Sequence, residues 1–357
     1  MTCAHPYSRP LYLPPYTIGV LGDVDLVVPA GALGAWLRSE GLSDGGTLQI
    51  EQLSGGSSNL TFRVRNGTGD WVLRRPPASG VLPTAHDVVR EHDIQRALGA
   101  TPVPVARMVG VCSDPAVIGA PFYLMDHVDG SVYGTVDAVA ALTFSDARAV
   151  SLALADTLAT LHAVDPDAVG LSALARPEPF VDRQLRRWKG QWERSASAPL
   201  PVLDGVFAEL ERRRPPPTPA RVVHGDYNLA NVMFSGSTVA AVLDWELTAL
   251  GDPLADLGAL LAYWGAAGRV LIASRGGHLP DANPGMASAA ELVARYEAAT
   301  GALADDLPFF EAMATAKLAV ICAGSMLRAT DQTEDRRAQT WRTVTSLAEV
   351  AAVTLGL

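Results

Sequence analysis

Apolar and polar residues alternate in several short stretches of the first third of the chain. This period of two is typical of strands with one buried face. One clear helix is predicted in the same region, over 85–98, and a shorter helix is predicted earlier, over 32–39. The predicted strands occupy the ranges 47–53, 60–65, 71–75, 105–112 and 122–128.

Beyond residue 130 the apolar positions recur every three or four residues, which indicates amphipathic helices. Ser145 is the predicted N-cap of a helix over 146–162, and another helix is predicted over 180–194. From Pro253 onward the helical spacing dominates again. Short strand-like segments interrupt the helical part at 222–224, 232–234 and 239–243.

These patterns predict an α+β protein with two lobes. The N-terminal lobe, 1–127, is expected to be a small antiparallel sheet preceded by an irregular arm rich in proline and tyrosine. The C-terminal lobe, 128–357, is expected to be larger and mainly helical. A length of 357 residues agrees with about two domains.

Composition narrows the classes of function. Hydrophobic residues make up 48% of the chain and charged residues 18%, which is enough for a large core. A net charge of −10 argues against a general nucleic-acid binder. The cysteines Cys3, Cys112 and Cys322 are widely spaced, so we expect neither a disulfide framework nor a zinc site, and a cytoplasmic location. Without a run of about 18 apolar residues, no membrane span is expected.

The densest polar motif is the stretch HGDYNLAN, which carries Asp226 and Asn231, and Asp244 follows a later apolar strand. Phosphoryl transfer uses a carboxylate to accept the proton of the attacking hydroxyl. It also uses an amide oxygen and a second carboxylate to hold magnesium. By itself, an Asp and an Asn at this spacing more often belong to a polar turn, in which they cap the local backbone. Asp244 after its own strand favours the catalytic interpretation.

A second candidate motif is rich in glycine and serine and lies between two predicted strands. Glycines let backbone N–H groups approach a phosphate, and the neighbouring polar side chains add donors. The alternative is a simple hairpin turn. The candidate residues are Gly55, Gly56, Ser57, Ser58 and Asn59.

Three segments in this order resemble the aminoglycoside phosphotransferase and choline kinase-like family of the protein-kinase-like superfamily: LSGGSSNLTF, HGDYNLANVMF and AVLDWELTALGDPLADLG. The resemblance implies a kinase-like two-lobed fold and transfer of the γ-phosphoryl of ATP, with Mg²⁺, to a hydroxyl of a small molecule. It implies that Asp226 is the catalytic base and that Asn231 and Asp244 bind magnesium. His224 is expected to be a buried scaffold residue, and Asp256 to steady the catalytic loop.

The chain departs from the family where a lysine normally contacts the nucleotide phosphates. The matching strand reads VLRR, and strand alternation allows only one of its two arginines to face the cleft. Arg74 is the predicted replacement and Arg75 the alternative, with Glu91 on the next helix as partner. Asp126 and Val128, where the lobes join, are expected to bind the adenine edge through their backbone.

The acceptor is indicated by a cationic helix with Arg183, Arg186 and Arg187. Its RQLRRW pattern resembles the phosphotransferase domains fused to acyl-CoA dehydrogenases, which implies an anionic, hydroxyacyl-CoA-like acceptor. A solvated basic face explains these arginines equally well. Three other functions stay open: an aminoglycoside-modifying kinase, which should have an acidic substrate pocket, a regulatory nucleotide-binding pseudokinase, and a structural protein that merely retains the fold.

Overall fold

A computed structural model describes residues 24–53, 59–77, 87–276, 280–302, 305–328 and 333–357. The chain forms two compact units. Of the described residues, the first unit contains those up to His92 and 108–127, and the second contains 93–107 and those from Val128 onward. Residues 93–107 thus group with the larger unit, although they precede the predicted boundary. The reason is packing, because Ile94, Leu98 and Val103 are buried in the larger core.

The first unit is built on an antiparallel sheet of five strands in the order β1-β2-β3-β5-β4. Two helices precede the sheet and a third begins in this unit. The helices are α1 (Val24–Val27), α2 (Ala30–Ser39) and α3 (Val88–Leu98). The strands are β1 (Gln49–Gln52), β2 (Leu60–Arg65), β3 (Asp70–Arg75), β4 (Met108–Cys112) and β5 (Phe122–Asp126). All five strands predicted from alternation are therefore confirmed.

One face of this sheet packs against α2. Phe62, Leu73 and Phe122 are fully buried on that face. The ring of Trp36 on α2 meets Phe122 edge to face, with 4.8 Å between the ring centroids. This geometry is favourable for aromatic pairs and adds to the burial of both rings. Because Leu73 faces α2, Arg74 next to it points to the opposite face of the sheet.

The second unit is mainly helical, as predicted. Its helices are α4 (Val136–Ala140), α5 (Phe144–His162), α6 (Phe180–Ser195), α7 (Pro201–Arg212), α8 (Leu254–Trp264), α9 (Ala266–Arg275), α10 (Ala289–Thr300), α11 (Leu307–Arg328) and α12 (Glu334–Thr354). Five short strands form two small sheets, ordered β6-β8-β9 and β7-β10. The strands are β6 (Ser131–Val132), β7 (Arg221–Val223), β8 (Val232–Ser235), β9 (Thr238–Val242) and β10 (Ala249–Gly251).

Helix α5 begins earlier than predicted. Its N-cap is Thr143, whose side chain accepts a hydrogen bond from the backbone N–H of Asp146 at 3.1 Å. Ser145, the predicted cap, lies inside the first turn. The prediction was wrong because Phe144 is exposed, so the apolar pattern does not mark the true first turn.

Helix α11 lies in the core of the second unit and packs against α6, α8 and α12. By length and composition its residues Leu307–Met326 could cross a membrane, but 83% of their most apolar window is buried inside the protein. This burial is typical of a core helix. Gly258 lets α8 approach α11 closely, because a Cβ at this position would lie 2.6 Å from the carbonyl carbon of Phe310 and 2.7 Å from the backbone nitrogen of Glu311.

We predict that Gly258→Ala lowers the free energy of unfolding by about 1–3 kcal/mol, because backbone atoms must move to accept the methyl group. Urea denaturation measures this change. The matched control is Gly205→Ala on α7, where no described atom lies within 4 Å of the added Cβ. It should raise stability by up to about 1 kcal/mol through helix propensity alone. Equal effects of the two substitutions would contradict the close approach of α8 and α11.

Candidate active site

The loop with Asp226 follows directly after β7. Gly225 precedes Asp226 and has a backbone φ of +87°, which side chains with a Cβ rarely adopt. A Cβ there would also lie 2.6 Å from the backbone oxygen of Leu247. Glycine is therefore required for both conformation and space. The chain turns sharply at this point and presents Asp226 with a quarter of its side chain exposed.

Asp256 on α8 holds the backbone of this loop. Its carboxylate accepts the N–H of His224 at 2.6 Å and the N–H of Gly225 at 2.7 Å. It also lies 3.3 Å from Nε2 of His162, whose Nδ1 is 2.8 Å from the hydroxyl of Tyr296. Asp256 is fully buried. The expectation that this residue steadies the catalytic loop is confirmed.

The charge state of Asp256 follows from these contacts. Burial alone would raise the pKa of its carboxyl. The hydrogen bond from His162, the electrostatic effects of His162 and His224, and the N–H of Gly225 lower the pKa by more than burial raises it. The pKa therefore lies below its ordinary value. The ionised form is favoured because buried donors surround it.

His224 joins the Asp226 loop to the segment that carries Asp244. The imidazole Nε2 is 2.8 Å from the backbone oxygen of Leu243, and Nδ1 accepts the N–H of Asp226 at 3.2 Å. The ring is completely buried, and its centroid lies 4.9 Å from that of Trp245. Its predicted structural role is confirmed, since both ring nitrogens are used to connect backbone segments.

Asn231 lies beside Asp226 at the start of β8. Its Nδ2 donates to the backbone oxygen of Asp226 at 2.9 Å and to the carboxylate Oδ2 at 3.3 Å. These bonds direct the amide nitrogen toward Asp226 and the amide oxygen away from it. Asn231 is thus oriented as a ligand through oxygen, which is the donor that magnesium prefers.

Asp244 comes two residues after β9. The N–H of Leu243 donates to the backbone oxygen of Asn231 at 2.8 Å, which ties the segment before Asp244 to Asn231. Its φ and ψ are +65° and +63°, the left-handed region. Among the described residues, Asp244 is the one non-glycine with a positive φ. Such strain persists only where the surrounding structure enforces it, and it concentrates at functional sites.

Asn231 and Asp244 fit a magnesium ion that binds together with a nucleotide. They could supply oxygen ligands from adjacent segments, and magnesium usually takes one or two protein ligands plus phosphates and water. In the described part of the chain, no group of three or more His, Cys, Asp or Glu residues could hold a metal by itself. A metal at this site would therefore depend on ligands from the nucleotide.

Lys317 was not predicted as a site residue. It projects from α11 and donates to the backbone oxygen of Gly225 at 2.6 Å and to Oδ1 of Asp226 at 2.9 Å. Sequence reasoning missed it because it lies 91 residues from Asp226 in a helix that is mostly apolar. The available signal was its rarity, since the chain has only one other lysine, Lys189.

The first unit contains the predicted phosphate-side residues. Arg74 on β3 and Glu91 on α3 form a largely buried ion pair, with 3.2 Å between Nε and Oε2. Arg75 points to the other face, where it donates to the backbone oxygens of Val27 and Ile118. Burial lowers the pKa of Arg75. Of the two arginines, Arg74 alone pairs with Glu91, and Arg75 binds the backbone.

Asn59 is almost fully buried at the start of β2, and neither its Oδ1 nor its Nδ2 has a hydrogen-bond partner within the described part of the chain. Leaving such a pair of buried polar atoms without partners is costly, and a ligand bound here would supply the missing hydrogen bonds. The other four residues of the predicted phosphate loop, Gly55, Gly56, Ser57 and Ser58, lie outside the described residues.

The predicted adenine-binding residues lie where the chain leaves the first unit. Asp126 is the last residue of β5 and pairs with Trp71 on β3. The backbone N–H of His127, the following residue, donates to the backbone oxygen of Asp70 at 3.1 Å. Val128 begins the main segment of the second unit and is partly exposed. Their role in binding adenine stays a prediction.

The three arginines of α6 have different surroundings. Arg183 donates to the backbone oxygens of Glu178 and Leu250, and Arg186 forms an ion pair with the Glu178 side chain. Arg187 instead packs over the Trp188 ring, 4.8 Å from its centroid, and lines a cavity of about 50 Å³. Burial lowers the pKa of Arg187, while the charge of Glu246 opposes this. Only Arg187 of the three therefore faces the cavity.

The cavity lies directly beside the catalytic loop. Its lining comes from α6, α8, α11 and the loops that carry Gly225 and Leu247, and includes Gln184, Arg187, Trp188, Gly225, Leu247 and Lys317. Of its charged lining residues, Arg187 and Lys317 are cationic. The third is Asp256, whose carboxylate already accepts backbone N–H groups of the loop. The acidic pocket expected for an aminoglycoside kinase is not present among these residues.

Comparison with known proteins shows the family to which the chain belongs. A sequence model of the phosphotransferase enzyme family matches residues 49–307. The chain belongs to this family of enzymes, in which small-molecule kinases share the kinase-like fold. Acyl-CoA dehydrogenase family member 11 of Mus musculus is 34% identical over 283 residues, which are 78% of this chain and 36% of the relative. The chain thus spans about a third of the length of that relative.

Solved structures show the same fold. A protein of Ralstonia eutropha, provisionally described as an aminoglycoside phosphotransferase, is 30% identical, with a TM-score of 0.76 over 91% of this chain and 98% of its own. The aminoglycoside phosphotransferase APH(4)-Ia, solved with AMP-PNP and hygromycin B, has a TM-score of 0.60 at 14% identity over 90% of this chain and 98% of its own. The second likeness supports the fold alone. The predicted kinase-like fold is confirmed.

The pKa of Asp256 leads to a prediction about pH. Because the pKa is lowered on folding, ionised Asp256 stabilises the protein above its unfolded pKa of about 4, and this stabilisation is lost as the pH falls through the lower folded value. Asp256→Asn should cost roughly 2–4 kcal/mol at pH 7, because an amide nitrogen would face a backbone N–H. The variant should also lose less stability than the wild type as the pH falls below about 5.

Urea denaturation over this pH range tests both statements. The matched control is Asp281→Asn, which removes an exposed carboxylate paired with Arg269 and should change stability by less than about 1 kcal/mol. If Asp256→Asn showed the acid sensitivity of the wild type, Asp256 would not be the buried carboxylate that holds the loop.

Proposed function

We propose that this protein transfers the γ-phosphoryl group of ATP, with Mg²⁺, to a hydroxyl of an anionic small molecule of the hydroxyacyl-CoA type. The observation that carries the proposal is the direct hydrogen bonding of Asn231 to Asp226, together with the backbone bond that ties Leu243, the residue before Asp244, to Asn231. Membership of the phosphotransferase enzyme family supports the reaction class.

Asp226 is the proposed catalytic base. The hydroxyl oxygen of the acceptor forms a bond to the γ-phosphorus while the bond from phosphorus to ADP breaks, and the hydroxyl proton passes to the Asp226 carboxylate. Asp226 is suited to this role because its position is fixed through its backbone and both carboxylate oxygens, while a quarter of its side chain is exposed. Such positioning is the main protein contribution to phosphoryl transfer.

Asn231 and Asp244 are the proposed ligands of magnesium, which would neutralise charge on the phosphates when it is bound. Arg74 is the proposed phosphate contact in the first unit, oriented by Glu91. A guanidinium is always charged and can hold a phosphate through two N–H groups, so it can replace the usual lysine. Asn59, with its buried side chain unpartnered in the described chain, supplies a further donor on the same unit.

Two observations support an anionic acceptor. Arg187 lines a cavity that also includes Gly225, the residue before Asp226. The name of the mouse relative, an acyl-CoA dehydrogenase family member, also favours an acceptor of the acyl-CoA type, although the chain spans only 36% of that protein. A hydroxyacyl-CoA carries both the hydroxyl and the anionic groups that such a site requires.

We predict that wild-type protein with Mg-ATP phosphorylates a hydroxyacyl-CoA, and that Asp226→Asn lowers this rate by about 10²–10⁴-fold. Mass spectrometry of reactions with hydroxyacyl-CoAs, aminoglycosides, choline and simple sugars measures the product and names the acceptor class. The Asp281→Asn variant is the control and should retain the wild-type rate.

The outcomes separate the alternatives. Phosphorylation of an aminoglycoside in preference to a hydroxyacyl-CoA would overturn the proposed acceptor but keep the kinase. Absence of any product from the wild type, in spite of nucleotide binding, would favour a pseudokinase. Unchanged turnover by Asp226→Asn would remove Asp226 from the role of base.

A further inference from the structure

Lys317 is a buried lysine whose ammonium group lies at the catalytic loop. Only 9% of its side chain is exposed, and Nζ is 2.9 Å from Oδ1 of Asp226 and 2.6 Å from the backbone oxygen of Gly225. The two acceptors belong to consecutive residues, so one ammonium group binds both the side chain of Asp226 and the backbone of Gly225. The contact joins α11, in the core of the second unit, to the loop.

The surroundings of Lys317 are mostly apolar. Met313 and Ala314 lie one turn earlier on α11 and line the same cavity, and Nζ is 5.9 Å from the centroid of the Trp188 ring. Burying an ammonium group is costly unless charged and polar partners compensate. A methionine or leucine would fill this position on α11 without that cost, so packing alone does not explain a lysine.

The two oxygens of Asp226 have different partners. Oδ1 accepts the strong, charge-assisted bond from Lys317, whereas Oδ2 accepts a longer bond of 3.3 Å from Nδ2 of Asn231. A carboxylate oxygen can accept about two hydrogen bonds, so Oδ2 keeps capacity for the proton of a hydroxyl. The bond to Lys317 fixes the plane of the carboxylate and thereby the direction in which Oδ2 points.

We propose that Lys317 is a positioning residue of the phosphotransferase reaction, which holds Oδ1 of Asp226 so that Oδ2 faces the acceptor hydroxyl. This inference rests on the proposed function for the reaction itself, but the contact between Lys317 and Asp226 can be tested without turnover. Lys317 acts through Asp226 and the loop backbone.

The kinetic test compares Lys317→Met with Lys189→Met. Lys317→Met should lower kcat by about 10²-fold, the scale expected for a misplaced catalytic group, with KM for Mg-ATP changed by less than about threefold because nucleotide binding does not use Lys317. Lys317→Arg keeps the charge and should recover at least part of the lost kcat. Lys189→Met removes a partly exposed ion pair with Glu211 and should leave kcat and KM at wild-type values.

The outcome that overturns the proposal is a Lys317→Met variant with kcat near the wild-type value, or one in which only KM for ATP rises. Thermal unfolding of each variant shows whether it is folded. If Lys317→Met does not fold, the Lys317→Arg variant supplies the kinetic comparison, and a kcat at the wild-type value with altered KM for ATP would count against positioning.

A second measurement does not depend on activity. Because the chain has only two lysines, ¹⁵N labelling of lysine side chains gives two Nζ signals in NMR spectra, which Lys189→Met assigns. We expect Asp226→Asn to shift the Lys317 signal and to speed the exchange of its protons, and to leave the Lys189 signal unchanged. A Lys317 signal unaffected by Asp226→Asn would overturn the proposal, even if the wild type showed no phosphotransfer.

Discussion

The candidate active site depends on one buried carboxylate. Asp256 accepts the N–H groups of His224 and Gly225, and without it the buried N–H of His224 and the partly buried N–H of Gly225 would lose this partner. The sharp turn at Gly225 then directs Asp226 outward, and His224 connects the same loop to the backbone before Asp244. The proposed base and the proposed metal ligands are therefore positioned by a network that itself has no proposed chemical role. This is the physical reason for a fully buried, ionised aspartate in the first turn of α8.

Much of the fold could be predicted from the sequence because its signals are local. The alternation in 60–65 and 71–75 predicts two neighbouring strands, and the structure pairs Leu60 with Arg75 and Arg65 with Asp70 in one antiparallel ladder. The same alternation showed that only one of two adjacent arginines could meet Glu91. The exact start of α5 was not predictable from apolar spacing, since its first residue, Phe144, faces solvent.

The parts of the site that escaped prediction depend on contacts between distant residues. Lys317 reaches Asp226 from the last third of the chain, and nothing in its own helix marks the loop as its partner. The cationic pattern of α6 could not show that Glu178 engages Arg186 and leaves Arg187 at the cavity. Such assignments require the packing of α6 against α11, which no local pattern encodes.

Asn231 and Asp244 are proposed to form a metal site together with the nucleotide. Calorimetric titration of AMP-PNP, with Mg²⁺ and then with EDTA, tests this directly in the wild type and in Asp244→Asn. We predict that Mg²⁺ strengthens AMP-PNP binding by about tenfold or more, equivalent to about 1.4 kcal/mol, in the wild type and has little effect in the variant. Equal affinity of the wild type with and without Mg²⁺, or a full magnesium effect in Asp244→Asn, would contradict it.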